Sequence, residues 1–349
     1  MRSMQLVNFG DPLVATVNKH PDPTDTEIVI RILACGVCHS DLHLFDGFFD
    51  LGDGKSIDMS KRLKLPFTLG HEIVGEVVAL GPEVRGPELG DIKLVYPWIG
   101  CSRCDLCRKD LEHLCVQPRF IGTWVPGGFS DHVIVPHERY LVNIGHLEPS
   151  AACVYACSGL TAYSALNKVL PQARNESLLI IGAGGLGLMA IGIARALGAN
   201  KLIATDVDPR KRQAALNSGV NFAIDSTADD ALTHVREICD GGPQTVIDFV
   251  GSSQTTRFGF ECLGRGGSLV IVGLFGGNLT VPAPMFPLRS VNILSSFVGN
   301  LNEMHDLMSL AISGKLPPPT VQTRPLSEAN EALADLRDGK VIGRTVLEP

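Results

Sequence analysis

The chain has 349 residues, of which 45% are hydrophobic and 19% are charged, a balance that excludes an intrinsically disordered protein. At roughly 150 residues per domain, this length predicts about two domains. The 30 basic and 37 acidic residues leave a formal net charge of −7. This charge argues against a nucleic-acid partner, because phosphate binding needs an excess of lysine and arginine.

The amino-terminal segment contains Asp11 and lacks the apolar run that a secretory signal needs. We therefore expect a cytoplasmic protein. One uncharged stretch, residues 178–194, contains five glycines and is shorter than the about 20 residues of a membrane span. No association with a membrane is expected.

Short β-branched runs separated by turns occupy the first third of the chain, at residues 27–34, 73–80 and 132–135, and predict a largely β domain. From residue 177 onward, apolar strands alternate with helical stretches such as residues 186–197 and 209–216. The six predicted strands cover residues 177–181, 201–205, 222–225, 245–250, 268–272 and 292–297. Helical crossovers between such strands predict a doubly wound parallel sheet that binds a nucleotide.

The last part of the chain changes pattern again. Helices are predicted at residues 303–312 and 328–336, and a terminal strand at residues 344–347. We expect this tail to return to the first domain.

Four closely spaced cysteines follow the pattern C-x2-C-x2-C-x7-C: Cys101, Cys104, Cys107 and Cys115. Four thiolates suit tetrahedral zinc and leave no vacancy for a substrate, so we predict a structural zinc site that holds a loop. Two disulfides or four unrelated thiols are alternatives that a reducing compartment disfavours. An iron–sulfur cluster, which four cysteines can also bind, is a less favoured alternative.

A glycine-rich turn, GAGGLG, follows the apolar strand at residues 177–181. Gly182, Gly184 and Gly187 match the G-x-G-x-x-G fingerprint, in which the glycines permit the turn, the approach of a pyrophosphate and close helix packing. Asp206 ends the next strand, 24 positions after Gly182. A carboxylate at this place accepts from ribose hydroxyls and repels a 2′-phosphate, which favours NAD over NADP.

A second interpretation makes Asp206 a cap of the helix at residues 209–216. The basic run Arg210, Lys211 and Arg212 lies just beyond it and weakens the preference for NAD, although Lys211 can also reach the ribose. The residues expected beside nicotinamide and adenosine, at the carboxyl ends of later strands, are Val250, Gly251, Val272, Gly273 and Leu274. The two glycines among them serve only as turns in the alternative interpretation.

Two further cysteines and a histidine lie in short motifs: Cys38 in CGVCHSDLH, His71 with Glu72 in GHEIVGEV, and Cys157 in CSGLTAY. Each alone is explained by burial, because cysteine is commonly buried and a histidine on an apolar strand is usually just hydrogen-bonded. Together, two thiolates and one imidazole form the Cys2His set of a catalytic zinc site with an open fourth position.

Taken in their order along the chain, these motifs resemble those of the zinc-dependent medium-chain alcohol dehydrogenases, within the medium-chain dehydrogenase/reductase superfamily. The resemblance runs essentially from end to end: CHSD at 38–41, GHE at 70–72, the cysteine quartet, CSGLTAY at 157–163, GAGGLG at 182–187, Asp206 and a terminal GRTVLEP. It implies an α/β fold with two domains. Residues 1–158 and 297–349 would form a GroES-like, β-rich catalytic domain, and residues 159–296 a Rossmann coenzyme domain with a six-stranded sheet.

The resemblance also implies roles for residues of the catalytic centre. Cys38, His71 and Cys157 match the ligands of the catalytic zinc, and Glu72 matches an acid that transiently approaches this zinc. Asp41 is expected to orient the zinc-binding histidine. Its ordinary alternative is an acid in the first turn of a helix.

Ser40 and His43 match a relay that carries the alcohol proton to solvent, against the ordinary alternatives of a helix cap and a surface imidazole. His39 and Arg344 match positions near the cofactor pyrophosphate, and an ordinary surface arginine is the alternative for Arg344. Further expected cofactor contacts are Gly185, Leu186 and Phe297.

The implied reaction is reversible hydride transfer between a primary or secondary alcohol and NAD, giving an aldehyde or ketone, with two zinc ions per chain. An apolar substrate is favoured by a set of aromatic residues: Phe45, Phe48, Phe49, Tyr96, Trp98 and Trp124. The alternatives are a polyol dehydrogenase and a non-enzymatic NAD-binding redox sensor with one structural zinc. A dimer or tetramer paired through the coenzyme-domain sheet edge is expected, and residues 46–64 form either a lid or an inert surface loop.

Overall fold

The computed structural model describes residues 1–169 and 176–349. The strands of the first range are β1 (Arg2–Leu6), β2 (Val14–Val17), β3 (Ile28–Gly36), β4 (Phe48–Gly52), β5 (Lys55–Asp58), β6 (Phe67–Thr68), β7 (Glu72–Leu80), β8 (Ile92–Val95), β9 (His132–Val135) and β10 (Leu141–Asn143). Its α-helices are α1 (His39–Asp46), α2 (Pro149–Cys153) and α3 (Ser158–Asn167).

The two longest of these strands, β3 and β7, pair antiparallel and form the centre of a mixed sheet. Ala34 lies opposite Val74 and Gly36 opposite Glu72, so the ends of the two strands that carry site residues are neighbours. Strand β9 pairs with β3, and β8 pairs with both β7 and β10. The prediction that this part is largely β is confirmed.

The second range contains a parallel six-stranded sheet. Its strands are β11 (Ser177–Ile181), β12 (Lys201–Thr205), β13 (Phe222–Ile224), β14 (Thr245–Asp248), β15 (Ser268–Ile271) and β16 (Asn292–Ser295), in the order β13-β12-β11-β14-β15-β16. Its helices are α4 (Gly185–Ala196), α5 (Pro209–Asn217), α6 (Ala231–Ile238), α7 (Ser253–Cys262) and α8 (Met285–Arg289). The chain order of the strands runs one way from β11 to β13 and the other way from β14 to β16, so the predicted doubly wound sheet is confirmed.

Four of the predicted strands are one or two residues too long. For β14, β15 and β16 the reason is that apolar residues continue into the loops at the carboxyl edge, whereas the extra residue of β13 is Asp225. After β14, the carboxylate of Asp248 accepts hydrogen bonds from the backbone N–H groups of Val250 (2.9 Å) and Gly251 (3.0 Å). After β16, Val298 has a φ of 40°, a conformation that no strand adopts. Val250, Val272 and Phe297 therefore lie in loops and not in strands.

The carboxyl-terminal tail contains α9 (Leu301–Ile312), β17 (Val321–Pro325), α10 (Ala329–Arg337) and β18 (Arg344–Glu348). Strand β18 pairs with β3, where Val346 lies opposite Gly36, and it also pairs with β17. The tail thus returns to the mixed sheet and places Arg344 near the end of β3.

Both faces of the parallel sheet are buried. Along β11, Leu178 and Ile180 belong to a core that is continuous with the mixed sheet, whereas Leu179 and Ile181 face a second core. This burial explains why the strand is apolar at every position but its first. Within the two described ranges, no helix combines the length and the apolar character that crossing a bilayer requires.

Strands β4 and β5 form a hairpin within the segment whose role the sequence left open. The tip of this hairpin crosses to the loop after β15: Asp53 accepts a hydrogen bond from the side chain of Asn278. A Cβ on Gly52 would lie 2.7 Å from the Cα of Gly277. The two backbones are therefore in direct contact, and the segment is not an isolated surface loop.

Candidate active site

Two strands of the mixed sheet, β3 and β7, and the helix α3 bring the predicted catalytic ligands together. Cys38 lies between β3 and α1, His71 directly precedes β7, and Cys157 directly precedes α3. The ligand atoms of these residues and of Glu72 all lie within 4.8 Å of one another. All four side chains are buried, so residues that are more than 100 positions apart in sequence share one enclosed site.

The donor set fits a zinc ion. Among the described residues, neither ring nitrogen of His71 has a hydrogen-bond partner, and Oε2 of Glu72 also has none. Buried polar atoms are rarely left unpaired without a reason. A hydrogen bond from Cys157, together with the charge of Arg344, holds the pKa of the Cys38 thiol well below its usual value, and thiolate is the form that binds metal.

Asp41 supports this site from α1. Its Oδ2 accepts the backbone N–H of Cys38 at 2.8 Å, and its Oδ1 accepts that of Gly70 at 3.1 Å. Oδ1 also lies 3.5 Å from Nδ1 of His71. The carboxylate thereby fixes the backbone on either side of the site and faces Nδ1 of the imidazole. Asp41 also lies in the first turn of α1. It therefore fits both interpretations, as the residue that orients His71 and as an acid in the first turn of a helix.

Glu72 and Arg344 form a buried ion pair. Nη2 of Arg344 donates to Oε1 of Glu72 at 2.6 Å, and the backbone N–H of Ser158 donates to the same oxygen at 3.1 Å. The alternative of a surface arginine is wrong, since Arg344 is only 3% exposed. Its side chain also reaches the parallel sheet, where a Cβ on Gly185 would lie 3.0 Å from Cδ of Arg344. One arginine therefore links the zinc ligands to the glycine-rich turn.

The predicted proton-relay residues lie on α1, beside Cys38. Ser40 is half-buried and His39 is exposed. His43 is half-buried, and its ring stacks on Phe49 of the β4–β5 hairpin with 4.6 Å between centroids. Burial lowers the pKa of His43, so its imidazole is neutral and ready to accept a proton near pH 7.

An aromatic wall lines one side of the zinc ligands. The ring of Trp98 lies 5.4 Å from that of His71, and 6.1 Å from that of Phe297. Trp98 is held in place because its Nε1 donates to the carbonyl of Ala156 at 2.9 Å. Phe297, expected as a cofactor contact, is 44% exposed, so its free face is open beside this wall.

Two residues that the sequence placed in the aromatic wall are core residues instead. Tyr96 is fully buried, and its hydroxyl donates to the carbonyl of Gly299 at 2.9 Å. Phe45 is buried between helices, with the guanidinium of Arg337 5.2 Å from its ring. Aromatic residues near a motif predict burial, but they do not by themselves indicate which face they line.

The glycine-rich turn has the geometry of a pyrophosphate cradle. Gly182 has a φ of 89°, and a Cβ on Gly187 would lie 1.8 Å from the carbonyl oxygen of Gly182. By contrast, a Cβ on Gly184 would meet nothing within 4 Å, so space is left open at the start of α4. Gly185 and Leu186 form the first turn of this helix, whose N-terminal end attracts phosphate charge.

Asp206 belongs to the cradle and does not cap the next helix. Its Oδ2 accepts the backbone N–H of Ala183 at 2.8 Å. The cap of α5 is Asp208, whose side chain accepts the backbone N–H of Arg210 at 2.8 Å. The capping interpretation of Asp206 is therefore wrong, because a neighbouring aspartate fills that role. Lys211 lies half-buried on α5.

The loops after β14 and β15 pack against each other at the same edge of the sheet. A Cβ on Gly251 would lie 2.1 Å from the carbonyl oxygen of Gly273, and one on Gly273 would lie 2.0 Å from the carbonyl carbon of Val250. Glycine is required at both positions because the two backbones are in close contact. Their role is therefore not limited to forming turns. Val272 is buried and Leu274 is exposed.

Sequence reasoning missed Asp248, which organises these loops. Besides the two backbone N–H groups already described, its Oδ2 accepts from the hydroxyls of Thr255 (3.0 Å) and Thr256 (2.9 Å) on α7. The side chain is fully buried. The available signal was an acid at the end of an otherwise apolar strand, TVID, at the edge where ligands bind.

We expect Asp248→Ala to lower the free energy of unfolding by about 3 kcal/mol, because four donors lose a buried acceptor. The KM for NAD should rise as well, since the loop of Val250 and Gly251 loses its anchor. Asp248→Asn keeps one acceptor oxygen and should lose less than half as much stability. Urea unfolding and steady-state kinetics measure both effects, and an Ala variant as stable as the Asn variant would show that the bonds are unimportant.

The second cysteine cluster is also assembled. Sγ of Cys104 lies 3.4 Å from Sγ of Cys107 and 3.8 Å from Sγ of Cys115, and Sγ of Cys101 lies 4.0 Å from that of Cys107. All four thiols are free of disulfides. Backbone N–H groups of residues 103 and 104 lower the pKa of Cys101 to about 6. Four converging sulfurs without a vacancy fit a structural zinc.

A buried acid, also missed from sequence, anchors this cluster to the mixed sheet. Glu112 lies between Cys107 and Cys115 and is only 2% exposed. Its Oε1 accepts the hydroxyl of Tyr140 at 3.2 Å and lies 3.6 Å from Nη1 of Arg139. The zinc loop therefore has an attachment that does not depend on the metal.

Comparison with known proteins agrees with this geometry. The family model described as alcohol dehydrogenase GroES-like domain matches residues 24–146, and that described as zinc-binding dehydrogenase matches residues 185–313. An NAD-dependent alcohol dehydrogenase of Sulfurisphaera tokodaii is 39% identical over 351 residues, which cover 100% of both chains. A D-arabinose 1-dehydrogenase (NADP(+)) of Saccharolobus solfataricus is 30% identical and covers 99% of this chain and 96% of its own.

Among solved structures, the alcohol dehydrogenase of Aeropyrum pernix superposes with a TM-score of 0.90, at 32% identity and with 100% of both chains covered. The expected combination of a GroES-like part and a Rossmann-type sheet is confirmed. Since matches extend over the whole chain and both cysteine clusters are in place, the chain belongs to the zinc-dependent medium-chain alcohol dehydrogenases.

Proposed function

We propose that this protein catalyses reversible hydride transfer between an alcohol and NAD, giving an aldehyde or ketone. One observation carries the proposal: Cys38, His71 and Cys157 converge on one buried site, and Arg344 connects this site to the glycine-rich turn. The relatives reported above support it. The test is to mix purified protein with NAD and a panel of alcohols and to follow the absorbance of NADH.

Two zinc ions and NAD complete the proposed enzyme. Cys38, His71 and Cys157 would hold the catalytic ion and leave one position open, with Glu72 as an approaching acid, and the quartet at residues 101–115 would hold the structural ion. When bound, the catalytic zinc supplies Lewis acidity and NAD supplies the hydride acceptor. We place the boundaries of the catalytic part at residues 158 and 297, as the sequence predicts.

The residues of the chain then have separate tasks. The carboxylate of Asp41 keeps the His71 ring oriented, and the Trp98 wall excludes water from one side of the substrate. The Ser40 hydroxyl accepts the proton of the alcohol hydroxyl while it releases its own proton, which His43 accepts and passes on toward solvent. Phe49, stacked on the His43 ring, limits the orientations of the imidazole. Arg344 places positive charge beside the pyrophosphate, and His39, whose pKa is lowered by desolvation, offers a neutral ring N–H there.

Asp206 should determine the preference for NAD over NADP. Replacing it with serine removes the charge that repels a 2′-phosphate, and we expect the ratio of kcat/KM for NADP to that for NAD to rise at least about tenfold. Steady-state kinetics with both cofactors measures this ratio. Asp229→Ser removes an exposed acid in the turn between β13 and α6 and should leave the ratio unchanged. An equal ratio in both variants would contradict the role of Asp206.

The substrate is proposed to be an apolar alcohol, because the ring of Trp98 lies beside His71 and the ring of Phe297 lies beside that of Trp98. The second candidate is a polyol or sugar, favoured by the similarity to a D-arabinose dehydrogenase. Relative kcat/KM values for medium-chain alcohols, benzylic alcohols, sorbitol and D-arabinose separate the two. Preference for the hydroxylated substrates would reject the apolar pocket.

We further propose a homo-oligomer in the cytoplasm. Strand β16 lies at the edge of the parallel sheet. Leu294 on this strand and Leu288 on the preceding helix α8 are exposed, which is typical of a surface that pairs with a second copy. All ten cysteines are free, as expected in a reducing compartment. Light scattering coupled to size-exclusion chromatography gives the oligomeric state.

A further inference from the structure

A cavity of about 880 Å³ opens at the amino-terminal edge of the parallel sheet. Ser177 and Lys201, the first residues of β11 and β12, line this cavity, and so does Gln244, directly before β14. The glycine-rich turn lies at the opposite ends of the same strands. A five-residue strand spans about 16 Å, so the cavity is separate from the proposed zinc and NAD sites.

Four cations line the cavity, each from a different element: Lys201 begins β12, Arg236 lies on α6, Arg265 lies between α7 and β15, and Arg289 ends α8. Two acids, Glu176 and Asp240, also line it. The four positive and two negative charges leave the wall with a formal charge of +2. A positive cavity is unusual in a chain whose net charge is −7.

These cations are not neutralised by carboxylates of the described residues. In that part of the chain, no Asp or Glu oxygen lies within the 4.0 Å ion-pair distance of the charged nitrogens of Lys201, Arg236, Arg265 or Arg289. Burial and the charges of Arg236 and Arg265 lower the pKa of Arg289. Like charges that face one another repel. This repulsion among the four cations lowers the stability of the fold unless an anion binds between them.

Hydrogen bonds within the protein occupy some of the side-chain donors of these four cations, and the remaining donors have no hydrogen-bond partner among the described residues. Arg289 donates to the carbonyl oxygens of Phe260 (3.2 Å) and Leu263 at the end of α7, and Arg265 donates to that of Leu288 at 3.2 Å. A guanidinium has five N–H donors, so both side chains are held in place with donors to spare. No comparable bond of Lys201 or Arg236 occurs among the described residues.

We propose that this cavity binds a small organic phosphate of at least two negative charges, at a site independent of NAD. Guanidinium groups bind phosphate oxygens with two parallel hydrogen bonds, and three arginines from different elements surround the space. The concave shape and the size of the cavity favour a small molecule over a nucleic-acid strand.

The test uses fructose 1,6-bisphosphate as the probe and inorganic phosphate for comparison. Isothermal titration is performed on the zinc-loaded protein with saturating NADH, so that the dinucleotide site is blocked. We expect the bisphosphate to bind at least about tenfold more tightly than phosphate. Arg236→Gln and Arg265→Gln should each weaken it by about tenfold, the loss of one charge-assisted hydrogen bond.

Arg85→Gln is the matched control, since Arg85 is exposed and, within residues 1–169 and 176–349, bonds only to carbonyls of its own loop. It removes the same charge and should leave binding unchanged. Thermal unfolding and the zinc content of each variant verify that the fold is intact. The proposal is overturned by an absence of bisphosphate binding, by displacement of the probe by NADH, or by equal weakening in Arg85→Gln and the cavity variants.

Discussion

Replacing Cys38 with serine is expected to remove one of two zinc ions per chain and to lower kcat at least about a thousandfold. The thiolate of Cys38 is one of the three proposed ligands, and a buried hydroxyl binds zinc far more weakly than a thiolate does. Loss of Lewis acidity removes several kcal/mol of stabilisation from the transition state. Metal analysis by mass spectrometry and the NADH absorbance assay measure the two effects.

Cys153→Ser is the matched control for this experiment. Cys153 is also a buried thiol, but it lies outside both clusters and its Sγ donates to the carbonyl of Ser150 at 3.4 Å. This variant should retain two zinc ions and nearly full activity. Turnover in Cys38→Ser equal to that of Cys153→Ser would mean that the predicted ligand set does not carry the reaction.

Replacing Cys107 with serine is expected to affect stability more than chemistry. Loss of the structural zinc should lower the free energy of unfolding by about 4 kcal/mol and the melting temperature by about 10 °C. Because Glu112 attaches the loop to Tyr140 independently of the metal, the loop should stay close to its place. At low temperature we therefore expect kcat to remain within about threefold of the wild-type value.

Differential scanning calorimetry and metal analysis check this prediction. Cys239→Ser, which changes a buried thiol at the far end of the parallel sheet, controls for the substitution itself and should keep both zinc ions. A Cys107→Ser protein that lost catalysis at all temperatures, with its fold intact, would show that the quartet has a direct part in the reaction.

The parallel sheet was predictable because its strands are buried on both faces. Strands β11 and β12 have the predicted bounds, residues 177–181 and 201–205, since every residue after the first is apolar or small and a glycine or an acid follows each. The ends of β14 and β16 were placed too late. There, apolar residues continue into loops whose path depends on Asp248 and on a left-handed Val298, and no local pattern indicates either.

The candidate site could be predicted only because several motifs occur along the chain in the same order as in the family that the sequence resembles. No single motif shows that Cys38, His71 and Cys157 meet. The residues that support these three side chains were harder to predict from the sequence. Arg344 and Glu72 are 272 positions apart, and their ion pair forms because β18 pairs with β3. Likewise, the contact of Asp53 with Asn278 depends on how the two sheets face each other. Long-range pairing of this kind leaves no trace in a single sequence.

Three distant residues of the chain are proposed to hold a partly vacant zinc beside the dinucleotide cleft. Anomalous X-ray diffraction above the zinc absorption edge, from crystals grown with NAD, locates each zinc ion. We expect two peaks per chain, one among Cys38, His71 and Cys157 and one among the four cysteines at residues 101–115. A single peak at the cysteine quartet, with NAD bound at the glycine-rich turn, would show that the three residues hold no zinc.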